Sequence, residues 1–282
     1  NRNNPEYHFN KGNELASRGR YEDALKEYDT AIRLNPNNPE YHYRKGNVLI
    51  LLDRFEDALL EFDIATKLNP NEPTYRFYKG NVLVILGRYE EAIEEYNALI
   101  SLDPKNPIYH YYKGDALLSL GRYEEALKEF DIAIALNPND PECHYKKGVT
   151  LRRLGRYEDA LREFDTAISL SPNNPEYYNQ KGVVLLSLGL YGDASRASNL
   201  YEEALRAFDA AIRLNPNEPV YHYNKTAVLA MLGRCNEALV EFNTGKKLAE
   251  EMYGAQGIPY AIQDLAQKAL NVIQAFCAGT KG

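Results

Sequence analysis

The chain has 282 residues, 44% of them hydrophobic and 26% charged, a composition of folded protein that excludes disordered and collagen-like classes. Its 33 Lys and Arg stand against 40 Asp and Glu, a net charge of −7 that repels phosphate backbones and makes nucleic acid an unexpected partner. Apolar runs such as 48–52 are far shorter than the ~20 residues that cross a bilayer, so no membrane partner is expected either.

The start, Asn1-Arg2-Asn3-Asn4-Pro5, has no Met and no apolar leader, and it resembles the later Asn35-Pro36-Asn37-Asn38-Pro39. It reads as a cut through a preceding repeat, which suggests a regulatory arm of a larger protein as one alternative. Pro5, Pro39, Pro73, Pro107, Pro141 and Pro175 follow at steps of 34 residues, and Pro219 comes after a step of 44. Seven units are therefore expected, at about 5–38, 39–72, 73–106, 107–140, 141–174, 175–218 and 219–253.

In each unit a Pro in the first turn of helix A loses nothing by lacking an N–H, and neighbouring Asn side chains supply capping oxygens. Gly87-Arg88-Tyr89 ends one such helix, and Gly121, Gly155 and Gly233 recur at the same place. Helix B starts at once with carboxylates such as Glu90 and Glu91 in its first turn, and Asp103-Pro104 stops it. Helix A is expected to run about four turns and helix B about three. Tyr89, Ala92, Ile93, Tyr96 and Ile100 form one apolar stripe that a single hairpin cannot cover but stacked neighbours can. The insertion near 191–200 is expected to project as a loop between the helices of the sixth unit, as a partner contact or as a tolerated surface insertion. Helix B of the last unit is expected to continue to about Tyr253. Beyond Gly254 and Gly257, residues 259–278 form a capping helix with Ile262, Leu265, Ala266, Ala269, Ile273 and Phe276 on one stripe.

The repeated Ala and aromatic of helix B (Ala24 and Tyr28, Ala58 and Phe62, Ala92 and Tyr96, and so on to Ala238 and Phe242), with Gly12, Gly46, Gly80, Gly114, Gly148 and Gly182 in helix A, resemble the tetratricopeptide repeat. The resemblance implies an all-α solenoid, a right-handed superhelix with a concave helix A face. It also departs in places: His42 and Lys45 stand for the family's Trp and Leu, and Thr226 stands for the glycine of the seventh unit. The recurring Lys stems are expected over apolar surface, with their heads near Glu or Asp of helix B.

The resemblance further implies that a partner protein or extended peptide lies on helix A. The aromatic three before the glycine is Phe9, Tyr43, Phe77, Tyr111 and Tyr145, with Tyr223 in the last unit, and the residue after the glycine is Asn13, Asn47, Asn81 and Asp115. Ring and amide are four apart and share a face. An Asn both accepts and donates, so a ladder of them suits a peptide backbone; the bland alternative is local hydrogen bonding. Arg152 and Arg153 could receive an acidic segment or be merely solvated. The Lys residues of a carboxylate clamp for chaperone tails are missing, because Phe9, Tyr43 and Phe77 occupy their places.

Catalysis is not expected. His8, His42, His110, His144 and His222 all sit at one repeat position, too far apart to share a metal, and there is no phosphate loop, H-E-x-x-H or G-x-S-x-G. No cofactor is implied. Cys143, Cys235 and Cys277 show no metal-like spacing and read as small apolar fillers, which fits a reducing cytoplasm. The function expected is a protein-interaction scaffold, with self-assembly into a homo-oligomer as another class.

Overall fold

The structure is a computed structural model that describes residues 3–279, so Asn1 and Arg2 of the opening motif lie outside the described residues. Two compact units divide at Leu136 and Asn137. The first holds α1 (Pro5–Ser17), α2 (Tyr21–Leu34), α3 (Pro39–Leu51), α4 (Phe55–Leu68), α5 (Pro73–Ile85), α6 (Tyr89–Leu102), α7 (Pro107–Ser119) and α8 (Tyr123–Leu136). The second holds α9 (Pro141–Arg153), α10 (Tyr157–Leu170), α11 (Pro175–Tyr191), α12 (Ala197–Leu214), α13 (Pro219–Met231), α14 (Cys235–Tyr253) and α15 (Tyr260–Cys277). Within each unit every helix packs on the next in chain order, so each is a solenoid stack of hairpins without a strand among the described residues.

Odd-numbered helices from α1 to α13 open on Pro, and the residue before it caps them: Asn4, Asn38, Asn106 and Asn174 each accept from the backbone N–H two residues on, and Glu72, Asp140 and Glu218 do the same. The regular helices A have 13 residues and the helices B 14, so the expected inequality of four turns against three is absent. Helix α5 ends at Ile85 with Leu86 as its C-cap, and Gly87 makes the turn at φ +72°. Asp53 occupies the equivalent turn in the second hairpin with φ 57°, the sole non-glycine described in that region.

The core repeats one contact. A Cβ built on Gly46 would stand 2.7 Å from Cε1 of Phe62, and one on Gly12 would stand 2.6 Å from that of Tyr28. Only glycine lets the ring of helix B lie flat on helix A. Phe62, Tyr96, Phe130, Phe164 and Phe208 are accordingly fully buried, beside Ala58, Ala92, Ala126, Ala160 and Ala204. In the last hairpin Thr226 fills the glycine's place, bonds back to the His222 carbonyl at 2.8 Å, and leaves Phe242 only half-buried.

Three expectations need correction. The insertion does not project as a loop, because α11 has 17 residues and α12 has 18, each about one turn longer than its counterparts, with a short 3-10 segment at Ala194–Arg196 between them. In the final helix Ile262, Ala269 and Ile273 are buried, but Phe276 is 55% exposed. Cys277, its neighbour, turns inward instead and forms a disulfide with Cys235 that ties the end of α15 to the start of α14. Only Cys143 remains as a buried free thiol, so two of the three cysteines no longer support a reducing compartment. No helix among the described residues is long and apolar enough to cross a membrane.

The disulfide closes a loop of 42 residues in sequence separation. Loop-closure entropy for such a length is about 4 kcal/mol, so reduction should lower the thermal midpoint of the wild type by several degrees and leave a Cys235→Ser, Cys277→Ser variant unmoved. Asp53→Gly should raise the unfolding free energy by about 1 kcal/mol in urea titration, because glycine takes the left-handed turn without the steric penalty of a Cβ.

Candidate functional site

Helix A of the first unit presents two kinds of side chain on one face. The first is a line of rings. Phe9, Tyr43, Phe77 and Tyr111 are each half-buried: Phe9, Tyr43 and Tyr111 meet the aromatic of their own helix B, and Phe9, Tyr43 and Phe77 meet a ring of the following hairpin. Tyr43 lies 6.0 Å from Phe62, 5.2 Å from Tyr75 and 5.4 Å from Tyr78; Phe77 lies 5.0 Å from Tyr112. These rings therefore serve the stack as well as the surface.

The second is the amide line, also half-buried. Asn13 Oδ1 accepts from the Tyr28 hydroxyl at 2.8 Å, and Asn81 Oδ1 accepts from Tyr96 at 2.8 Å. Between them Asn47 faces Phe62, which has no hydroxyl, and its Oδ1 is buried without a hydrogen-bond partner. Burial pushes the Tyr28 phenol up to about 12 and that of Tyr96 higher still, so both hydroxyls keep their protons and remain donors. Burial likewise pushes the Tyr43 phenol up, against the pull of the neighbouring Asn47 amide. Asp115 closes the line on α7.

Sequence reading missed two further features of this face. Leu51 and Ile85, five residues after their glycines, are 59% and 55% exposed. Glu6 accepts from the Tyr41 hydroxyl at 2.5 Å and Glu40 from Tyr75 at 3.2 Å, so in the first two hairpins a carboxylate is spent on tying helix A to its successor. The 34-residue step from Glu6 to Glu40, with Tyr41 and Tyr75 offset from it by 35 residues, was the available signal.

In the second unit the amide places hold Val149, Val183 and Ala227. Tyr145 is half-buried against Tyr177 at 5.1 Å, while Tyr223 is buried beneath α15 and faces no solvent. Arg153 is exposed; Arg152 is half-buried, makes no ion pair among the described residues, and has a buried Nε with no partner. Burial, and then the adjacent Arg153 charge, pull its guanidinium below the ordinary value. Nearby, Asn179 replaces the expected ring and accepts from Asn224 Nδ2 at 2.9 Å, and Gln180 Nε2 donates to Glu176 at 2.7 Å.

The histidines serve the scaffold. His42 Nδ1 lies 2.7 Å from Glu61 and its Nε2 lies 3.0 Å from the Pro36 carbonyl; His222 meets Glu241 and Pro216 in the same way. Acceptors on both nitrogens require the imidazolium. Lys45 Nζ reaches Glu61 at 2.7 Å and Asp29 at 2.9 Å, and Lys225 reaches Glu241 and Asp209, placing the Lys heads on helix B carboxylates as expected. Burial opposes the charge on His42 and His222, yet their hydrogen bonds and carboxylate neighbours outweigh it and hold both above 6.5. The lysine and histidine donors likewise outweigh burial and hold Glu61 and Glu241 below 4.5.

Sequence models described as tetratricopeptide repeat match residues 52–107, 77–141, 129–162 and 187–218, and one described as TPR repeat matches 12–53 and 148–189. The chain belongs to the tetratricopeptide repeat family. Among solved structures, a tetratricopeptide repeat protein from Parabacteroides merdae ATCC 43184 aligns over 95% of this chain and 99% of its own at TM-score 0.72 and 16% identity, a likeness of fold. MamA from Desulfovibrio magneticus RS-1 aligns over 60% of this chain and 95% of its own at TM-score 0.57 and 25% identity. YrrB, described as a TPR protein with an unusual peptide-binding site, aligns over 67% of this chain and 92% of its own at TM-score 0.52 and 25% identity. No curated protein matches the chain. Tetratricopeptide repeat proteins are in general non-catalytic scaffolds that bind protein or peptide partners, and this chain is a protein-interaction scaffold of that family.

The histidine chains give a pH dependence. The raised histidines stabilise fully below about 6.5 and lose that contribution as pH rises through their folded values; the lowered glutamates stabilise above about 4.5 and lose theirs as pH falls through their folded values. A His42→Gln, His222→Gln variant should therefore lose more stability against the wild type at about pH 5.5 than at about pH 9, as read from denaturant midpoints.

Proposed function

We propose that the helix A face of the first unit holds an extended peptide segment of a partner protein. Asn13, Asn47 and Asn81 pair with its backbone, Phe9, Tyr43, Phe77 and Tyr111 offer ring edges to its side chains, and Asp115 ends the row. The observation that carries this reading is Asn47 Oδ1, a buried acceptor without a donor in the middle of the row: an amide that helix B leaves unsatisfied can turn to the face, where a guest backbone N–H would satisfy it. Exposed Leu51 and Ile85 add apolar area on the same face, worth about 1.5–3 kcal/mol each if fully covered. The likeness to YrrB, whose description names a peptide-binding site, supports a peptide as the guest.

The second unit offers a separate contact of different chemistry. Arg152, half-buried, in no ion pair among the described residues and with only the more distant field of Glu176 to offset its charge, suits an acidic side chain of a partner, with Tyr145 beside it and Arg153 adding charge at the rim.

A peptide panned from a display library against the whole chain serves as probe. Changing Asn13, Asn47 and Asn81 together to Ala should weaken its binding about tenfold or more, with the helical circular dichroism unchanged. Unaltered affinity in that folded variant would sink the reading.

A further inference from the structure

We infer that the hydroxyls of Tyr28 and Tyr96 are positioning groups that set the Asn13 and Asn81 amides as fixed donors, so that the guest backbone must present carbonyl oxygens at those two rungs. The inference rests on the peptide reading above and deepens it.

An Asn amide can flip, exchanging its acceptor for its donors, and its hydrogen-bond network decides which end points where. At Asn13 and Asn81 the decision is made from inside the hairpin. The phenol donates to Oδ1 at 2.8 Å in both cases, across the same separation of 15 residues. With the oxygen held toward helix B, the NH₂ group is left for the helix A face. A peptide carbonyl is the group that meets it.

The hydroxyl is not needed for packing. Phe62, Phe130, Phe164 and Phe208 occupy the same place in other hairpins and lie as close on their glycines, with built Cβ distances of 2.6–2.8 Å against 2.6 Å for Tyr28 and 2.9 Å for Tyr96. The position opposite those phenylalanines is Asn47, Asp115, Val149 and Val183 respectively, and the two tyrosines both stand opposite an Asn. A phenol thus occurs where an amide can receive its proton. Asn47 is the exception, an Asn opposite Phe62, and its oxygen is the one left without a donor. The row consequently reads as a fixed donor, an amide that helix B leaves unfixed and a fixed donor.

The test uses the whole chain, the panned peptide and side-chain amide NMR. Tyr28→Phe, Tyr96→Phe should fold, because Phe is the chain's own residue at the equivalent places. Its Asn13 and Asn81 NH₂ resonances should become more mobile than in the wild type, and peptide binding should weaken about five- to tenfold. Phe62→Tyr should do the converse to Asn47, ordering its amide by supplying the missing donor. Amides as ordered as the wild type's and unchanged affinity in the double Phe variant, while the triple Ala variant still loses binding, would overturn the positioning role and leave the peptide face standing. Loss of affinity in neither variant would remove the peptide reading and this inference with it.

Discussion

The stack depends on a flat contact between a glycine of helix A and an aromatic ring of helix B. With built Cβ distances of 2.6–2.9 Å from Gly12 to Gly182, any side chain there would force the hairpin open. Because the ring fills that place, each helix B keeps its Ala buried against helix A, and each hairpin shows its neighbour the same apolar stripe. The one hairpin with Thr226 there gives up the contact, leaves Phe242 half-buried, and is the one covered by α15. The cap and the disulfide stand where the repeated contact fails.

A second interaction replaces what the family ordinarily builds from apolar residues. His and Lys stand where Trp and Leu are common, and a helix B glutamate gathers both. Such half-buried ion pairs contribute little free energy over an apolar pair, since desolvation offsets their attraction. What they supply is register: His42, Glu61, Lys45 and Asp29 interlock three successive helices, and a shifted hairpin would strand a charge away from water.

The period, the caps and the helix order were legible because Pro, Asn and Gly act locally, through φ and hydrogen bonds to near neighbours. The rows of Phe9, Tyr43 and Phe77 and of Asn13, Asn47 and Asn81 were legible for the same reason, as residues three before and one after a glycine on one helix. What those side chains touch was not, because it depends on the next hairpin and on helix B. The ring row proved to be shared with Tyr75, Tyr78 and Tyr112, and two of its amides with Tyr28 and Tyr96. Tyr223 looked like another ring of the row and is lost under α15. Cys235 and Cys277, 42 residues apart, meet only because α15 folds back on α14.

The lengthened hairpin of α11 and α12 shows how such a chain can grow. Each helix gains four residues beyond the regular length, close to the 3.6 of one turn, and the additions lie at the tip where the two helices meet. The angular phase of every residue below the tip is therefore conserved, and Gly182 still receives Phe208 as its counterparts do in shorter hairpins. The same ten residues placed mid-helix would rotate the apolar stripe away from its neighbour. Tips are thus free sites of variation, where new surface can be acquired while the stacking code beneath stays intact.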